Sequence, residues 1–186
     1  MNVRQQIRRK WSLGFVCLWL AGSGAFSADK NMVLGEYQVK AAFLYNFTQF
    51  TDWPPGAFPA TNTPIVIGII GEDPFGDTMD EVVRGEIIRG HPLVVKRLRT
   101  DEDLRSCHML FISRSEKDRL PALLSQLKGS PVLTVSDTGD FAERGGMVNL
   151  LLVQKTVKME INQAAAEEAG LQISAKLLKL ARVVKS

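Results

Sequence analysis

Short apolar runs recur along the chain and alternate with segments of helical composition. Four short runs are almost wholly apolar, at residues 64–70, 93–95, 109–112 and 132–135, and the second of them continues through two basic residues to Leu98. Such runs are typical of strands that are covered on both faces of a parallel sheet. Helical segments separate them, at residues 76–83 and 117–127. This alternation predicts an open, mostly parallel sheet with crossover helices.

The pattern changes after Gly145-Gly146. Residues 147–153 and 156–161 predict two strands, and Gln154-Lys155 between them predicts a turn, so this segment is expected to form a β-hairpin. The sequence as a whole predicts one α/β domain whose mostly parallel open sheet is flanked by helices and ends in a C-terminal antiparallel β-hairpin.

Two more helices are predicted near the C-terminus. The first covers residues 162–169 and is ended by Gly170, and the second is capped by Ser174. The apolar positions of the last helix are Leu177, Leu178, Ala181 and Val184. Its basic residues Lys176, Lys179 and Arg182 would share one side, where they would favour the helix dipole or touch an acidic partner or membrane headgroups.

Residues 36–50 predict the first helix, which ends before Pro54-Pro55. Its apolar residues form two stripes, one of Val39, Phe43, Phe47 and Phe50 and one of Tyr37, Ala41 and Leu44. A helix that is apolar on two sides needs two partners. These are either two surfaces of its own domain or one such surface and another protein.

The first 27 residues have the order of a signal peptide. Basic residues precede an apolar run at residues 11–20 and a small-residue stretch at residues 21–25. Cleavage after Ser27 is favoured over cleavage after Ala25, which leaves residues 28–186 as the mature domain outside the cytoplasm. A retained membrane anchor is the alternative, but the run is shorter than the ~20 residues that a span requires. Cys17 lies inside the apolar run, which disfavours a lipoprotein.

Removing residues 1–27 changes the charge of the chain. The full sequence has 23 basic and 20 acidic residues, and the leader holds four of the basic ones and no acidic one, so the mature chain has a net charge of −1. Clustered Lys and Arg of the kind that binds nucleic acid are therefore not supported. Cys107 is the one cysteine after residue 27, so an intramolecular disulfide is not expected.

The loops that follow the predicted parallel strands carry candidate ligand-binding residues. These are Glu72, Asp73, Ser113, Ser115 and Asp137. Ligands of open α/β sheets generally bind where such loops converge, so these side chains could bind a small polar ligand. The alternative is that they only cap helices and shape turns.

The sequence predicts neither a catalytic residue nor a metal or cofactor site. It contains no phosphate-binding glycine motif of the common kinds and no nucleophile elbow. His91 and His108 are the only histidines; we expect His91 at a turn and His108 in a structural role. Because Cys107 and His108 are adjacent, an extended strand would direct their side chains to opposite faces.

Aromatic residues cluster at the exit of the first helix. Phe43 and Phe47 are expected in the core, whereas Tyr45, Trp53 and Phe58 have the chemistry of interface anchors. Together with Asp52, which lies between them in the chain, these three residues are the candidates for contact with a partner protein.

Several segments together resemble the YfiR family of periplasmic proteins. They are residues 37–47 with Trp53-Pro54, residues 107–113, residues 145–150, and residues 160–184 with their Glu-Ile-Asn, Ala-Gly-Leu and Ile-Ser-Ala-Lys-Leu-Leu-Lys-Leu-Ala-Arg-Val-Val blocks. The blocks follow the family's order and spacing over nearly the whole mature chain.

The resemblance implies a regulator without catalytic residues. The best-known family member represses an inner-membrane diguanylate cyclase through the cyclase's outward-facing domain, and an outer-membrane lipoprotein sequesters it. Members generally form homodimers. That member also has several disulfide-forming cysteines, which this chain lacks, so redox control through an internal bridge is not expected here. The competing hypotheses are a periplasmic small-molecule-binding sensor that uses the strand-end loops, and a hydrolase with an unrecognised site.

Overall fold

The computed structural model describes residues 25–99 and 101–184. Residues 1–24 of the predicted signal peptide, Cys17 among them, lie outside the described residues. Among the helices of the described ranges, none combines the length and the apolar content needed to cross a bilayer.

The described residues form helices and strands in alternation. The helices are α1 (Ala25–Phe50), α2 (Asp77–Val83), α3 (Leu120–Leu127), α4 (Gln163–Glu168) and α5 (Ala175–Leu178). Short 3-10 helices cover Pro55–Ala57, Leu104–Ser106 and Arg114–Arg119. The strands are β1 (Thr51–Asp52), β2 (Ile65–Ile70), β3 (Ile87–Ile88), β4 (His91–Leu98), β5 (Met109–Ile112), β6 (Leu133–Ser136), β7 (Val148–Val153), β8 (Thr156–Asn162), β9 (Gln172–Ile173) and β10 (Arg182–Val184).

Most of these strands build one sheet in the order β10-β8-β7-β6-β5-β2-β4-β3. The strands from β4 through β2, β5 and β6 to β7 are parallel, β7 and β8 form the antiparallel hairpin, and β10 lies parallel to β8. The predicted fold class is therefore confirmed as a single α/β domain with a mostly parallel sheet and a C-terminal hairpin. β1 and β9 pair separately as a small antiparallel ribbon.

Both faces of the sheet are covered, which explains why the central strands have almost no polar residue. In β5, Met109 and Phe111 belong to a core cluster that also contains residues of α1, whereas Leu110 and Ile112 belong to a second cluster with residues of α3. All four side chains are at most 1% exposed. Alternate residues of a strand point to opposite faces, so an uninterrupted apolar run is what a doubly covered strand requires.

α1 begins at Ala25, well before the predicted start at residue 36. Its inner side places Ala41, Leu44 and Phe47 in the core with no exposed surface, while Phe43 is half-buried and Val39 is 46% exposed. The expectation that Phe47 lies in the core is confirmed, whereas Phe43 lies at its margin. The side of the helix that carries Val39 and Phe43 is thus only partly covered by the described residues.

The predicted last helix is wrong beyond its first turn. The Ser174 hydroxyl does cap the helix by accepting from the Leu177 N–H at 3.4 Å, but α5 ends at Leu178. Arg182–Val184 then pair with β8 as strand β10. The β-branched Val183 and Val184 favour a strand. The open edge of β8 presents backbone N–H and C=O groups with which this strand pairs. Arg182 consequently does not share a helical side with Lys176 and Lys179.

The hairpin of β3 and β4 was not predicted. Arg89 and Gly90 form its turn with φ of 53° and 89°, and Ile87 pairs with Pro92. Positive φ at both central residues is characteristic of two-residue hairpin turns, and glycine at the second position was the available signal. His91 begins β4 directly after this turn, close to its expected position.

Candidate functional site

The segment after α1 runs past the β3–β4 hairpin and the amino ends of β4 and β5. The helix stops at Phe50, and Thr51–Asp52 continue as β1, which pairs with β9. The Ser174 N–H donates to the Phe50 carbonyl at 2.9 Å, so one of the last carbonyls of the helix is satisfied by tertiary structure. Pro54 and Pro55 prevent the helix from continuing.

Two of the partner-contact candidates, Tyr45 and Asp52, reach the β3–β4 hairpin. The Tyr45 hydroxyl donates to Glu86 Oε2 at 2.7 Å, and this hydrogen bond to a carboxylate raises the pKa of Tyr45. Asp52 forms an ion pair with Arg89, and both side chains are 57% exposed. Arg89 Nη2 also donates to the Gln49 carbonyl at 3.1 Å. These contacts join the end of α1 to the hairpin.

The other two candidates, Trp53 and Phe58, are half-buried and pack against the core cluster that contains α1. The Trp53 indole N–H donates to the His108 carbonyl at 3.0 Å. The Phe58 ring lies between two imidazoles, with its centroid 4.1 Å from that of His91 and 4.6 Å from that of His108. The fold therefore holds both aromatic rings in place and leaves each of them partly exposed.

Both histidines serve the structure of this loop. The Val66 N–H donates to His108 Nδ1 at 3.2 Å, so the ring proton lies on Nε2, which faces the Ala57 carbonyl at 3.1 Å. Burial lowers the pKa of His108. His91 Nδ1 lies 2.7 Å from the Thr63 carbonyl and is therefore the donor. Within the described residues, no group of His, Cys, Asp and Glu could hold a metal ion.

Sequence reasoning missed the contribution of the β3–β4 hairpin to this surface. Ile87 of β3 is 65% exposed, and it lies between Glu86 and Arg89, which contact Tyr45 and Asp52. We define the α1–β3 face by its residues Tyr45, Asp52, Trp53, Phe58, Ile87 and Arg89. It combines exposed apolar surface, two half-buried aromatic rings and an exposed ion pair.

The loops after β2 and β5, which carry four of the ligand-binding candidates, do meet. The Ser115 hydroxyl accepts from the Glu72 N–H at 2.9 Å. Gly71 has φ +89° and lies so close to Ser113 and Ser115 that a Cβ at its position would collide with them. The Glu72 side chain is exposed, and its backbone rather than its carboxylate makes the contact.

The carboxylate of Asp73, another of these candidates, turns away from the loop after β5. Its Oδ1 accepts from the Phe75 N–H at 2.8 Å, and its Oδ2 lies 2.9 Å from Arg97 Nε. Arg97 also contacts Asp80 on α2, and this hydrogen bond lowers the pKa of Asp80. At Glu72, Asp73 and Ser115 the contacts are thus of the kind that shapes turns.

Asp137, the fifth candidate, is the centre of a buried charge network between β6 and α1. Lys40 Nζ lies 2.6 Å from Asp137 Oδ2, and the Tyr37 hydroxyl donates to the same oxygen at 2.7 Å. Burial, followed by the hydrogen bond to Asp137, raises the pKa of Tyr37. Lys40 also pairs with Glu36, and Arg114 Nε lies 3.3 Å from Asp137 Oδ2. The Lys40 side chain has no exposed surface, so it requires these partners.

A cavity of about 460 Å³ opens beside this network, at the carboxyl ends of β5 and β6. It is lined by Arg114, Lys117, Asp137, Thr138, Gly139, Asp140, Arg144, Leu151 and Leu152. We call it the Arg114 cavity. Of the five ligand-binding candidates, only Asp137 lines it.

A second surface that the sequence did not reveal lies at the opposite edge of the sheet. A groove of about 530 Å³ is lined mainly by apolar side chains, including Phe43, Leu151, Val153, Val157 and Leu180. Leu180 is 77% exposed and Val153 is 45% exposed. This β8–β10 groove receives Phe43 from the apolar stripe of α1 that also contains Val39.

The sequence family of this chain is now clear. A family model described as YfiR/HmsC-like matches residues 37–182. The chain belongs to the YfiR/HmsC-like family. The match covers α1 from Tyr37, the sheet and the start of β10, so it includes the α1–β3 face, the charge network and the groove. The family is periplasmic, and it is regulatory rather than catalytic.

Comparisons outside the family add little to this YfiR/HmsC-like protein. No curated protein matches it significantly. It is similar to an ABC domain in complex with L-Trp from Streptococcus pneumonia, with 14% identity, a TM-score of 0.46 and coverage of 64% of this chain and 55% of the other. It is also similar to a conserved domain protein from Vibrio cholerae, with 13% identity, a TM-score of 0.49 and coverage of 65% and 55%. The chain thus spans about half the length of these structures.

Proposed function

We propose that this YfiR/HmsC-like protein is a non-enzymatic periplasmic repressor of an inner-membrane diguanylate cyclase, which it inhibits by binding the cyclase's periplasmic domain. Repression would lower cyclic di-GMP and with it biofilm formation. Family membership supports the regulatory role. The observation that carries the proposal is the α1–β3 face, an exposed surface on which aromatic, apolar and charged residues lie together.

This face has the composition of a protein interface. Its exposed Ile87 provides apolar area, its half-buried Trp53 and Phe58 provide aromatic anchors, and the exposed pair of Asp52 and Arg89 provides polar groups at the rim. The histidine stack holds Phe58 before any partner binds. Such preorganisation reduces the entropy that association costs.

The interface is tested by calorimetric titration of the mature protein with the periplasmic domain of the cyclase from the same bacterium. Ile87→Lys adds a charge to the face at a position that is 65% exposed, and we expect affinity to fall at least tenfold. Val183→Lys is the matched control, because Val183 is 48% exposed at the opposite sheet edge. Equal affinities of both variants and the wild type would contradict the use of this face.

We also propose that the protein is a homodimer and that an outer-membrane lipoprotein sequesters it. The β8–β10 groove supports a second contact, because Leu180 and Val153 expose apolar area there. Sedimentation velocity of the wild type and of Leu180→Asp tests the homodimer. A dimer that becomes monomeric in the variant would place the contact at the groove, and a monomeric wild type would contradict the homodimer.

The domain boundaries belong to the same proposal. Residues 1–27 would be removed on export, and residues 28–186 would form the periplasmic domain. The family match begins at residue 37, downstream of either predicted cleavage position.

A second candidate function is a periplasmic small-molecule sensor that uses the strand-end loops. The Arg114 cavity favours it, because this cavity lies where parallel strands end and it adjoins a network that includes α1. The two functions are compatible, since a repressor can respond to a ligand.

A further inference from the structure

The Arg114 cavity has an excess of unpaired positive groups. Lys117 and Arg144 line it, and in the part of the chain that the structure describes neither side chain forms an ion pair or a side-chain hydrogen bond. Arg114 lines it as well and is 54% exposed. The carboxylates of the lining are Asp140 and Asp137, and Asp137 is paired with both Lys40 and Arg114.

The backbone of the cavity also offers hydrogen-bond donors. The turn at residues 138–140 follows β6, and within the described residues the N–H groups of Gly139 and Asp140 donate to no protein group. Asp140 has φ +60°, and a Cβ added at Gly139 would meet no atom within 4 Å, so the turn is open on the cavity side. Free backbone N–H groups beside cationic side chains are characteristic of anion-binding loops.

One wall of the cavity is apolar. Leu151 and Leu152 of β7 contribute it, and Leu152 is 36% exposed. A volume of about 460 Å³ lies within the range of ligand sites for small molecules. The cavity therefore suits a ligand that has an anionic group at one end and an apolar part at the other.

Arg114 connects the cavity to α1. Its Nε donates to the Asp137 carbonyl at 3.1 Å, and its Nη2 lies 3.5 Å from Glu36 Oε1. Asp137 Oδ1 is buried and accepts no hydrogen bond from the described residues, so the network is not fully satisfied in this arrangement. An anion that draws Arg114 toward the cavity would weaken its contacts with Glu36 and Asp137 and change how α1 is held.

We propose that the Arg114 cavity binds a small anionic ligand, carrying a carboxylate or a phosphate and an apolar part, and that binding is transmitted through Arg114 and Asp137 to α1. This inference rests on the proposed function, because α1 carries Tyr45 of the α1–β3 face. The ligand would then set how well the repressor binds its partner.

Amide NMR spectra of the mature protein test the site. Inorganic phosphate, hexanoate and acetate are titrated separately at constant ionic strength, with chloride as the reference. We expect saturable shifts of the Gly139 and Asp140 amide signals with phosphate or hexanoate. The anion with the lower midpoint concentration shows whether the site prefers a phosphate or a carboxylate. Tighter binding of hexanoate than of acetate would confirm that the apolar wall contributes to binding, and equal midpoints for the two would overturn that contribution.

Variants make the test specific. Lys117→Ala/Arg144→Ala should raise the midpoint at least tenfold, whereas Lys176→Ala/Lys179→Ala, which removes two exposed lysines elsewhere, should leave it unchanged. Equal midpoints in the two double variants, or shifts that spread over exposed lysines without saturation, would overturn the site. If binding is transmitted to α1, the amide signals of Lys40 and Tyr45 should also shift with the same midpoint. The absence of these shifts would overturn the transmission to α1.

Repression of cyclic di-GMP is measured in the same variants to separate this inference from the proposed function. If the wild type represses cyclic di-GMP but binds none of the anions, only the anion site is overturned. Anion binding without repression would overturn only the cyclase proposal.

Discussion

At the scale of single residues, Lys40 and Asp137 determine how α1 is attached to the sheet. Both side chains are almost completely buried, and Tyr37, Glu36 and Arg114 complete their surroundings. A buried charge without a partner costs several kcal/mol, so each member of the network constrains the others. The sequence showed Asp137 as a strand-end carboxylate but gave no sign of Lys40 as its partner, because 97 residues separate them.

Lys40→Met should destabilise the protein by about 3–5 kcal/mol, because it leaves the buried carboxylates of Asp137 and Glu36 without their main counter-charge. Arg89→Met is the matched control. It breaks the exposed pair with Asp52 and should cost less than about 1 kcal/mol. Urea unfolding followed by Trp53 fluorescence measures both variants, and equal losses would contradict the structural role of the network.

His108 should make stability depend on pH. Burial lowers the pKa of His108 below its usual value of 6.5, and protonated Nδ1 could not accept from the Val66 N–H. Between the folded and the unfolded pKa the unfolded state binds more protons. The stabilisation is therefore fully present above about pH 6.5 and is lost as the pH falls through the folded pKa.

The corresponding measurement is the free energy of unfolding from pH 7.5 to pH 5. The wild type should lose stability over this range, and His108→Asn, which cannot titrate, should show a smaller slope. His91→Asn is the comparison, since His91 is the other imidazole beside Phe58. A slope in His108→Asn equal to that of the wild type would exclude His108 as the titrating group.

At the scale of elements, the apolar runs were sufficient to predict the central strands β2, β5 and β6, because those strands are buried on both faces. The hairpin was predicted from its two strand patterns and the Gln154-Lys155 turn between them. The C-terminal segment was different. Residues 174–184 carry apolar side chains at helical spacing, yet the free edge of β8 pairs with Arg182–Val184, and Glu160 contacts Arg182. Tertiary pairing of this kind overrides a local pattern and is not visible in it.

Removal of residues 182–186 should therefore expose the edge of β8 and promote self-association. An unpaired strand edge is a template for pairing with another chain. Removal of residues 185–186 alone is the control, because it leaves β10 intact. Size-exclusion chromatography and urea unfolding should show larger species and lower stability only for the longer deletion, and identical behaviour of the two would contradict the role of β10.

At the scale of the whole molecule, α1 connects three separate features of the surface. Its Tyr37 and Lys40 belong to the network beside the Arg114 cavity, its Tyr45 belongs to the α1–β3 face, and its Phe43 lines the β8–β10 groove. The two apolar stripes predicted that the helix needs more than one partner, and Ala41, Leu44 and Phe47, which come from both stripes, are buried in the core.

The central claim is repression from the periplasm, and cellular cyclic di-GMP tests it most directly. It is measured in the source bacterium after deletion of this gene and after complementation with versions that contain or lack residues 1–27. We predict that cyclic di-GMP rises on deletion and returns to its original level only with the exported version. An unchanged level after deletion, or equal rescue by the version without residues 1–27, would contradict the account.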